Sequence, residues 1–307
     1  AILFAEAHPD IELMGITTVY GNATIDNGTQ NALYLKQKFG MKALVAKGTD
    51  KPLIRDPVGA TVVVHGEAGF GDVKAPSSLD VTALDKPAYQ FIIDSVRAEP
   101  GEITLVAVGP LTNLALALEA DPEIVDLVKE VVIMGGAFGE NDHRGNVTPF
   151  AEANIHDDPH AADKVFTASW PVVIIGLDVT EESFFTGQYL DDLRDDAGEV
   201  GQFIWDVSRY YLKFYSEKVG MEGCHVHDPS AIAYVIQPSL FTCRSGAVRV
   251  VTDGPAEGMT IQKTDQRSYM NDEWSSFPAQ KVGFQVDNNA LLSLYRETLV
   301  HYSQQQS

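Results

Sequence analysis

The sequence predicts an open α/β fold, with a mainly parallel sheet that carries helices on both faces. Two observations predict it. Apolar runs rich in Val, Ile and Leu recur at 102–109, 130–136 and 171–178, and such runs are typical of strands that are buried on both faces. Amphipathic segments separate these runs, which indicates repeated strand–helix units. In sheets of this kind ligands bind beyond the carboxyl ends of the strands, so we expect site residues directly after the apolar runs.

Strands and helices alternate along the chain. We predict strands at 11–22, 43–48, 102–109, 130–136 and 171–178, and helices at 26–40, 86–101, 111–120, 158–168, 199–218 and 227–236. Asp26 is the expected N-cap of the first of these helices, and Gly40 marks its expected end. Because no internal repeat and no Pro-, Gly- or Ser-rich linker divides the sequence, we expect a single domain over residues 1–307.

The composition excludes several classes of partner. The 307 residues include 22 Lys and Arg against 43 Asp and Glu, which gives a formal net charge of −21. A surface this acidic repels nucleic acid phosphates and anionic lipids, and no apolar run approaches the length of a membrane span. The two cysteines, Cys224 and Cys243, form no CxxC pair and are interpreted as reduced thiols in a cytoplasmic protein. We therefore expect neither nucleic acid nor a membrane as a partner.

The segment "GNVTPFAEANIHDDP" (145–159) allows two interpretations. If its first half is extended, Glu152 and Asn154 project to the same side, where a carboxylate and a carboxamide can receive neighbouring hydroxyl groups. Asn146 can join them. Alternatively, Asn154 and Asp157 cap the helix that follows. Both interpretations stay open for Glu152 and Asn154, whereas Asp157 and Asp158 fit a helix cap better.

The segment "CHVHDPSAIAYVI" (224–236) places His227 and Asp228 before an apolar helix. An aspartate followed by proline fits an N-cap with proline in the first turn, and metal binding is the alternative for Asp228. A histidine beside a buried aspartate can act as a general acid when its pKa is near neutral.

Three other turns supply candidate residues. Asn22 ends the first predicted strand, and His65 lies in a Gly-rich loop (63–72) whose backbone can approach a ligand closely. The turn that contains Val108 should face the ligand crevice, where a backbone oxygen can coordinate a cation. Neither a G-x-G-x-x-G turn nor a Walker pattern follows the strands, which disfavours ordinary dinucleotide or NTP binding.

Eight motifs together resemble the inosine-uridine preferring nucleoside hydrolase family. They occur in the order of the family from about residue 9 to residue 240: "ITTVYGN", "VHGEAG", "VGPLTNLA", "VVIMGGA", "GNVTPFAEANI", "DPHAADKVF", "GLDVT" and "VHDPSAIAYVI". The combination is highly specific, and the more C-terminal part carries weaker motifs. The resemblance implies a Rossmann-like open α/β sheet and a calcium-dependent enzyme that splits the N-ribosyl bond of nucleosides into free base and ribose.

The resemblance also implies roles for individual residues. Asp228 matches a calcium-binding aspartate, and Val108 matches a ligand that coordinates through its backbone carbonyl. His227 matches a histidine that protonates the leaving base, and His65 matches a histidine that lines the base pocket. The ribose-binding set of the family is matched by Asn22, Asn146, Glu152 and Asn154, with Met134 packing nearby. His65 and His227 complete the expected substrate-binding residues.

On this interpretation Glu152 and Asn154 clamp ribose hydroxyls, and Asn154 joins His227 as a catalytic residue. A carboxylate close to the sugar favours the positive charge of an oxocarbenium-like transition state. Ca²⁺ prefers many oxygen ligands, so ribose hydroxyls can complete its shell while the ion holds the attacking water.

One motif of the family is absent. The family begins with a strand that ends in an aspartate-rich D-x-D-x-x-x-D-D motif, whereas "AILFAEAHPDIEL" (1–13) resembles the part that follows it. A sheet without this strand would lose several hydrogen bonds of about 0.5–1.5 kcal/mol each and gain a cavity, a large loss beside a total stability of about 5–15 kcal/mol. We therefore expect roughly 15–20 residues, enough for a strand, a loop and a helical turn, to precede Ala1 in the working protein.

The expected function is Ca²⁺-dependent hydrolysis of ribonucleosides, with His227 as the acid for the leaving base. The family resemblance suggests a homodimer or homotetramer. One alternative is a protein that has lost the aspartate-rich motif and binds nucleosides or ribose without turnover. Another is a metal-dependent hydrolase that acts on a different substrate.

Overall fold

Three sheets organise the computed structural model, which describes residues 1–270 and 273–306. Its strands are β1 (Gly15–Thr17), β2 (Leu44–Ala46), β3 (Thr104–Ala107), β4 (Glu130–Met134), β5 (Val172–Ile175), β6 (Phe184–Thr186), β7 (Gly223–His225), β8 (Phe241–Val250), β9 (Thr260–Gln262) and β10 (Ala279–Val286). The central sheet has the order β3-β4-β5-β10-β8-β9. Parallel pairs join β3, β4, β5 and β10, and antiparallel pairs add β8 and β9. The predicted mainly parallel α/β sheet is confirmed.

Helices surround these sheets. Their bounds are α1 (Ile2–Ala7), α2 (Ile25–Lys38), α3 (Val62–His65), α4 (Ala88–Ala98), α5 (Thr112–Ala120), α6 (Ala153–Asp157), α7 (Pro159–Thr167), α8 (Leu177–Thr180), α9 (Gly187–Asp196), α10 (Gly198–Phe214), α11 (His227–Ile236) and α12 (Asn288–Gln306). Each of the six predicted helices is present, within a few residues of its predicted bounds. Of the helices that the structure describes, none combines the length and the apolar character needed to cross a membrane.

Neighbouring residues of β4 pack on opposite faces of the central sheet. Val131 and Ile133 are buried against α4, α5 and α7, whereas Val132 and Met134 are buried against α10, α11 and α12. The residues of β5 alternate in the same way. Because side chains of successive strand residues point to opposite faces, an unbroken apolar run is what two covered faces require.

The first predicted strand and helix differ in detail from the expectation. The strand predicted at 11–22 is confined to β1, which pairs in parallel with β2 in a separate two-stranded sheet. Thr24 rather than Asp26 caps α2, since the Thr24 side chain accepts a hydrogen bond from the N–H of Asn27. Asp26 lies inside the first turn of α2, where it pairs with Lys47.

Candidate active site

Glu152 is a buried helix cap at the carboxyl end of β4. Its Oε1 accepts a hydrogen bond from the N–H of Asn154 (2.9 Å), and its Oε2 accepts from Gly136 (3.0 Å) and Ile155 (3.2 Å). Only 2% of the residue is exposed. Burial raises the pKa of Glu152 to about 7, although the three N–H donors oppose the shift.

The extended geometry considered for Glu152 and Asn154 is therefore wrong. The chain turns into α6 at Ala153, because Glu152 supplies the acceptor that the free N–H groups of a helix start require. The two side chains meet around the end of β4 instead of projecting side by side from a strand.

Asn154 joins α6 to β4. Its Nδ2 donates to the carbonyl oxygen of Met134 at 3.1 Å and lies 3.5 Å from the Met134 sulfur. Asn146 approaches from the preceding loop and accepts a hydrogen bond from the N–H of Ala153 (3.0 Å). The structure thus brings together three residues of the predicted ribose-binding set, Asn146, Glu152 and Asn154, with Met134 beside them as expected.

The interpretation as a helix cap is wrong for Asn154 and Asp157 but is confirmed for Asp158. Asp158 caps α7, because its Oδ1 accepts from the N–H of Ala161 at 3.0 Å. Asp157 is the last residue of α6, and burial raises its pKa to about 6.

His227 is the first residue of α11, and its ring is held by Thr180. The distance from His227 Nδ1 to Thr180 Oγ1 is 2.8 Å. The ring centroids of His225 and His227 are 5.9 Å apart. Burial is the main reason that the pKa of His227 is lowered to about 3, and the neighbouring His225 and His65 lower it further. The imidazole is therefore neutral at neutral pH, and the near-neutral pKa expected of a general acid is not found in the free protein.

A row of rings connects His227 with His65. His65, at the end of α3, stacks on Tyr211 with 5.6 Å between centroids and 20° between planes. The hydroxyls of Tyr211 and Tyr215 lie 3.2 Å apart, and Tyr215 meets His225 edge-on. Burial lowers the pKa of His65 to about 4. The predicted base-pocket histidine and the predicted acid therefore line one aromatic wall.

Asn22 lies near the same wall on an exposed loop. Its carbonyl accepts from the N–H of Thr61 (3.2 Å), and its Oδ1 accepts from the Thr61 hydroxyl (3.3 Å). Since Thr61 directly precedes α3, Asn22 ties the turn after β1 to the element that carries His65.

Asp228 and Val108 are the described residues expected to bind calcium. Asp228 lies in the first turn of α11, so its predicted role as N-cap is wrong, since Val226 occupies that position. Burial raises the pKa of Asp228, and a nearby cation would stabilise the carboxylate. Val108 directly follows β3, in the turn that was expected to offer a carbonyl oxygen.

The oxygen atoms of Asp228 and Val108 are of the type that calcium prefers, but they are too few to complete its coordination shell. Ca²⁺ takes six to eight oxygen ligands, whereas no group of three or more His, Cys, Asp or Glu side chains in residues 1–270 and 273–306 could hold a metal ion. The described residues do not form a complete calcium site by themselves.

Sequence reasoning missed two partners of the site. Thr180 belongs to the motif "GLDVT", but its contact with His227 joins residues 47 positions apart and leaves no local signal. Tyr211 lies in an amphipathic helix, where an aromatic residue that lines a pocket looks the same as one that packs in a core.

The chain resembles known proteins over most of its length. The family model described as "Inosine-uridine preferring nucleoside hydrolase" matches residues 1–293. Over 264 residues the chain is 41% identical to the inosine-uridine preferring nucleoside hydrolase of Crithidia fasciculata, covering 85% of this chain and 82% of that protein. It is 37% identical over 301 residues to the probable uridine nucleosidase 1 of Oryza sativa subsp. japonica, covering 97% and 92%. A solved plant nucleoside hydrolase, the PpNRh1 enzyme, superposes with a TM-score of 0.93 at 35% identity, over 98% of this chain and 94% of that one.

Proposed function

The chain belongs to the inosine-uridine preferring nucleoside hydrolase family, and from this premise we propose that it hydrolyses the N-glycosidic bond of ribonucleosides to free base and ribose. One observation carries the proposal beyond the family name. The polar cluster of Met134, Glu152 and Asn154 at the end of β4 lies beside α11, which begins with His227. A candidate sugar-binding cluster and a candidate acid for the base are thus carried by two elements that contact each other.

His227 is proposed as the leaving-group acid. Its Nδ1 contact with Thr180 fixes the rotation of the ring, which leaves Nε2 for the substrate. Because the ring is neutral in the free protein, Nε2 would have to carry the single ring proton, with the Thr180 hydroxyl donating to Nδ1. A departing base that gains negative charge would raise the pKa of the ring beside it, so that His227 takes up a second proton from water and passes the Nε2 proton to the base.

Glu152 and Asn154 are proposed to position the ribose. Glu152 keeps α6 and Gly136 in place through three backbone contacts, and Asn154 is fixed by the Met134 carbonyl. Side chains held in this way lose little further freedom when a sugar binds, which favours precise orientation. Asn22 and Asn146 are proposed to add contacts from the neighbouring loops, and His65 to face the base.

Ca²⁺ is proposed as the cofactor, with Asp228 and the Val108 carbonyl among its ligands. When bound, the ion would activate a water and orient the sugar hydroxyls. Calorimetric titration of the metal-free protein with CaCl₂ tests this directly. We expect saturable binding that Asp228→Asn weakens at least tenfold, and a melting temperature that rises with calcium only in the wild type. No calcium binding by the wild type would overturn the assignment.

Hydrolysis is tested by the release of reducing sugar from uridine, cytidine and inosine. We expect ribose from at least one of them, and we expect His227→Ala to lower kcat by about 10²–10⁴-fold, the usual contribution of a general acid. His301→Ala is the matched control, because His301 contacts only Gln305 on the surface of α12 among the described residues. Equal rates for the wild type and His227→Ala on every substrate would remove His227 from the mechanism.

A protein that binds nucleosides without turnover is the second candidate. The polar cluster of Glu152 and Asn154 supports it, because these side chains could hold a sugar whether or not the glycosidic bond is then broken. Saturable binding of uridine or inosine in calorimetry, with no ribose released during prolonged incubation with calcium, would establish this alternative.

A cytoplasmic homodimer or homotetramer is also proposed. The net charge of −21 and the two cysteines, neither of which forms a disulfide, are consistent with this proposal. Light scattering on the purified protein measures the oligomeric state, and a monomer at micromolar concentration would contradict it. Cell fractionation measures the compartment.

A further inference from the structure

His143 lies between two glutamates, outside the site described above. Its Nδ1 is 2.7 Å from Glu181 Oε2, and its Nε2 is 2.6 Å from Glu182 Oε1. Because each ring nitrogen meets a carboxylate oxygen, both contacts are satisfied only when both nitrogens carry a proton. The side chains of His143 and Glu181 are only 21% and 22% exposed, so solvent screens their contact less than it screens a surface pair.

The loop 138–143 that carries His143 also contacts the segment 177–182 through Asp178. This fully buried carboxylate accepts hydrogen bonds from the N–H groups of Phe138 and Glu140, the latter at 2.7 Å. Asn141 returns a bond from its Nδ2 to the carbonyl of Asp178 at 2.8 Å. Asn141 and Asp142 have φ values of 54° and 63°, in the left-handed region that Asn and Asp adopt more readily than other non-glycine residues.

The segment 177–182 in turn holds His227. Thr180 contacts His227 Nδ1 at 2.8 Å. Directly after the segment, the carbonyl of Ser183 accepts from the N–H of Val226 at 2.9 Å, and β6 pairs with β7 up to His225. A shift of the segment would therefore move the backbone before His227 and the hydroxyl that orients its ring.

We infer that His143 is a positioning residue for the acid: through Glu181 and Glu182 it fixes the segment 177–182, and through Thr180 it fixes the ring of His227. The inference rests on the proposed function, because it requires that His227 protonates the leaving base. It adds a residue that touches neither the sugar cluster nor the aromatic row. Replacing His143 should therefore slow only the step in which His227 protonates the leaving base.

Two substrates separate this role from a general loss of structure. Inosine or uridine needs a proton on the departing base, whereas the phenolate of 4-nitrophenyl β-D-ribofuranoside leaves without one. For His143→Ala we expect kcat for the nucleoside to fall about 10–100-fold, the scale of a small misplacement of a reacting group, while the rate for the nitrophenyl riboside and KM for both stay within about twofold.

His143→Arg is the conservative variant, because a guanidinium can still donate to two carboxylates. We expect it to restore most of the nucleoside rate. Arg97→Ala is the matched control. Arg97, on α4, also lies between two acidic side chains, those of Asp121 and Glu123. The Arg97→Ala variant should leave both rates unchanged.

Hydrogen–deuterium exchange gives a readout that does not depend on turnover. We expect the amides of 177–183 to exchange faster in His143→Ala than in the wild type, and no such change in Arg97→Ala. Unchanged exchange in this segment, or equal losses with the nucleoside and the nitrophenyl riboside, would overturn the inference while leaving nucleoside hydrolysis standing. A wild type that releases no ribose from any nucleoside would overturn the proposed function and the inference together.

Discussion

Asn154 and Glu152 show that residues of the site also hold the fold together. The amide of Asn154 satisfies the Met134 carbonyl, and the carboxylate of Glu152 satisfies three backbone N–H groups. Buried polar groups that lose a partner cost about 1–3 kcal/mol. Substitutions here should therefore alter both stability and catalysis, and the two effects must be measured separately.

Asn154→Ala should raise KM, lower kcat and destabilise the fold. We expect about 1–2 kcal/mol less free energy of unfolding, because the Met134 carbonyl loses its donor in a buried position. Steady-state kinetics and urea denaturation of the same preparation test both effects. A loss of stability with unchanged kinetics would limit Asn154 to a structural role.

Glu152 should make stability depend on pH. Burial raises its pKa from 4.5 to about 7, so between these values the folded chain keeps a proton that the unfolded chain has lost. The contribution of Glu152 therefore falls as the pH rises from about 4.5 to about 7 and is constant outside this window. Glu152→Gln cannot ionise, so the difference in unfolding free energy between wild type and variant should decline across the window. Urea denaturation at pH 4.5, 6 and 8 measures it, and a constant difference would contradict the raised pKa.

At the scale of elements, polar side chains cap the starts of several helices. Thr24 caps α2, Glu152 caps α6 and Asp158 caps α7. In each case a side-chain oxygen accepts from an N–H group that the helix itself cannot satisfy. Such a contact is worth about 1 kcal/mol.

Thr24→Ala and Asp26→Ala form a matched pair two residues apart. We expect Thr24→Ala to lower the free energy of unfolding by about 1 kcal/mol, because the N–H of Asn27 loses its acceptor. Asp26→Ala removes a surface ion pair with Lys47 and should cost less than about 0.5 kcal/mol. Thermal denaturation of both variants measures the two losses of stability. A larger loss in Asp26→Ala than in Thr24→Ala would identify Asp26 as the cap.

The sequence predicts elements better than it predicts caps and contacts. The interiors of β4 and β5 are recognisable because burial on both faces demands unbroken apolar runs. The choice between Thr24 and Asp26 depends on backbone angles at single residues, which composition does not determine.

Contacts between distant residues are harder still to foresee. The family motifs placed Glu152, Asn154 and His227 at the site, but the contact between Thr180 and His227 and that between His143 and Glu181 depend on how distant loops pack. No local pattern encodes such pairings.

At the scale of the whole molecule, two apolar cores share the same strands. Val131 and Ile133 belong to one core, and Val132 and Met134 to the other. A strand cannot leave one core and stay in the other. Residues 1–307 should therefore unfold as one cooperative unit, as the single-domain prediction requires.

Tryptophans offer separate reporters for the two cores. Trp170 is fully buried in the core of α4, α5 and α7, and Trp205 packs against the other core from α10. Because Trp274 is the third tryptophan, both variants are made together with Trp274→Phe. In that background we expect the fluorescence of Trp170→Phe and of Trp205→Phe to change at the same urea concentration as the far-UV circular dichroism of each variant. Midpoints that differ between the probes of one variant would show that the cores unfold independently.

The double burial of β4 and β5 bears on how such a protein can change its substrate. A replacement inside either strand disturbs a core, whereas the turns beyond their ends contain the candidate ligand-binding groups. Selectivity can therefore diverge while the scaffold is preserved. A directed-evolution library aimed at a new nucleobase should be confined to 61–72 and 138–151 and should spare every strand position.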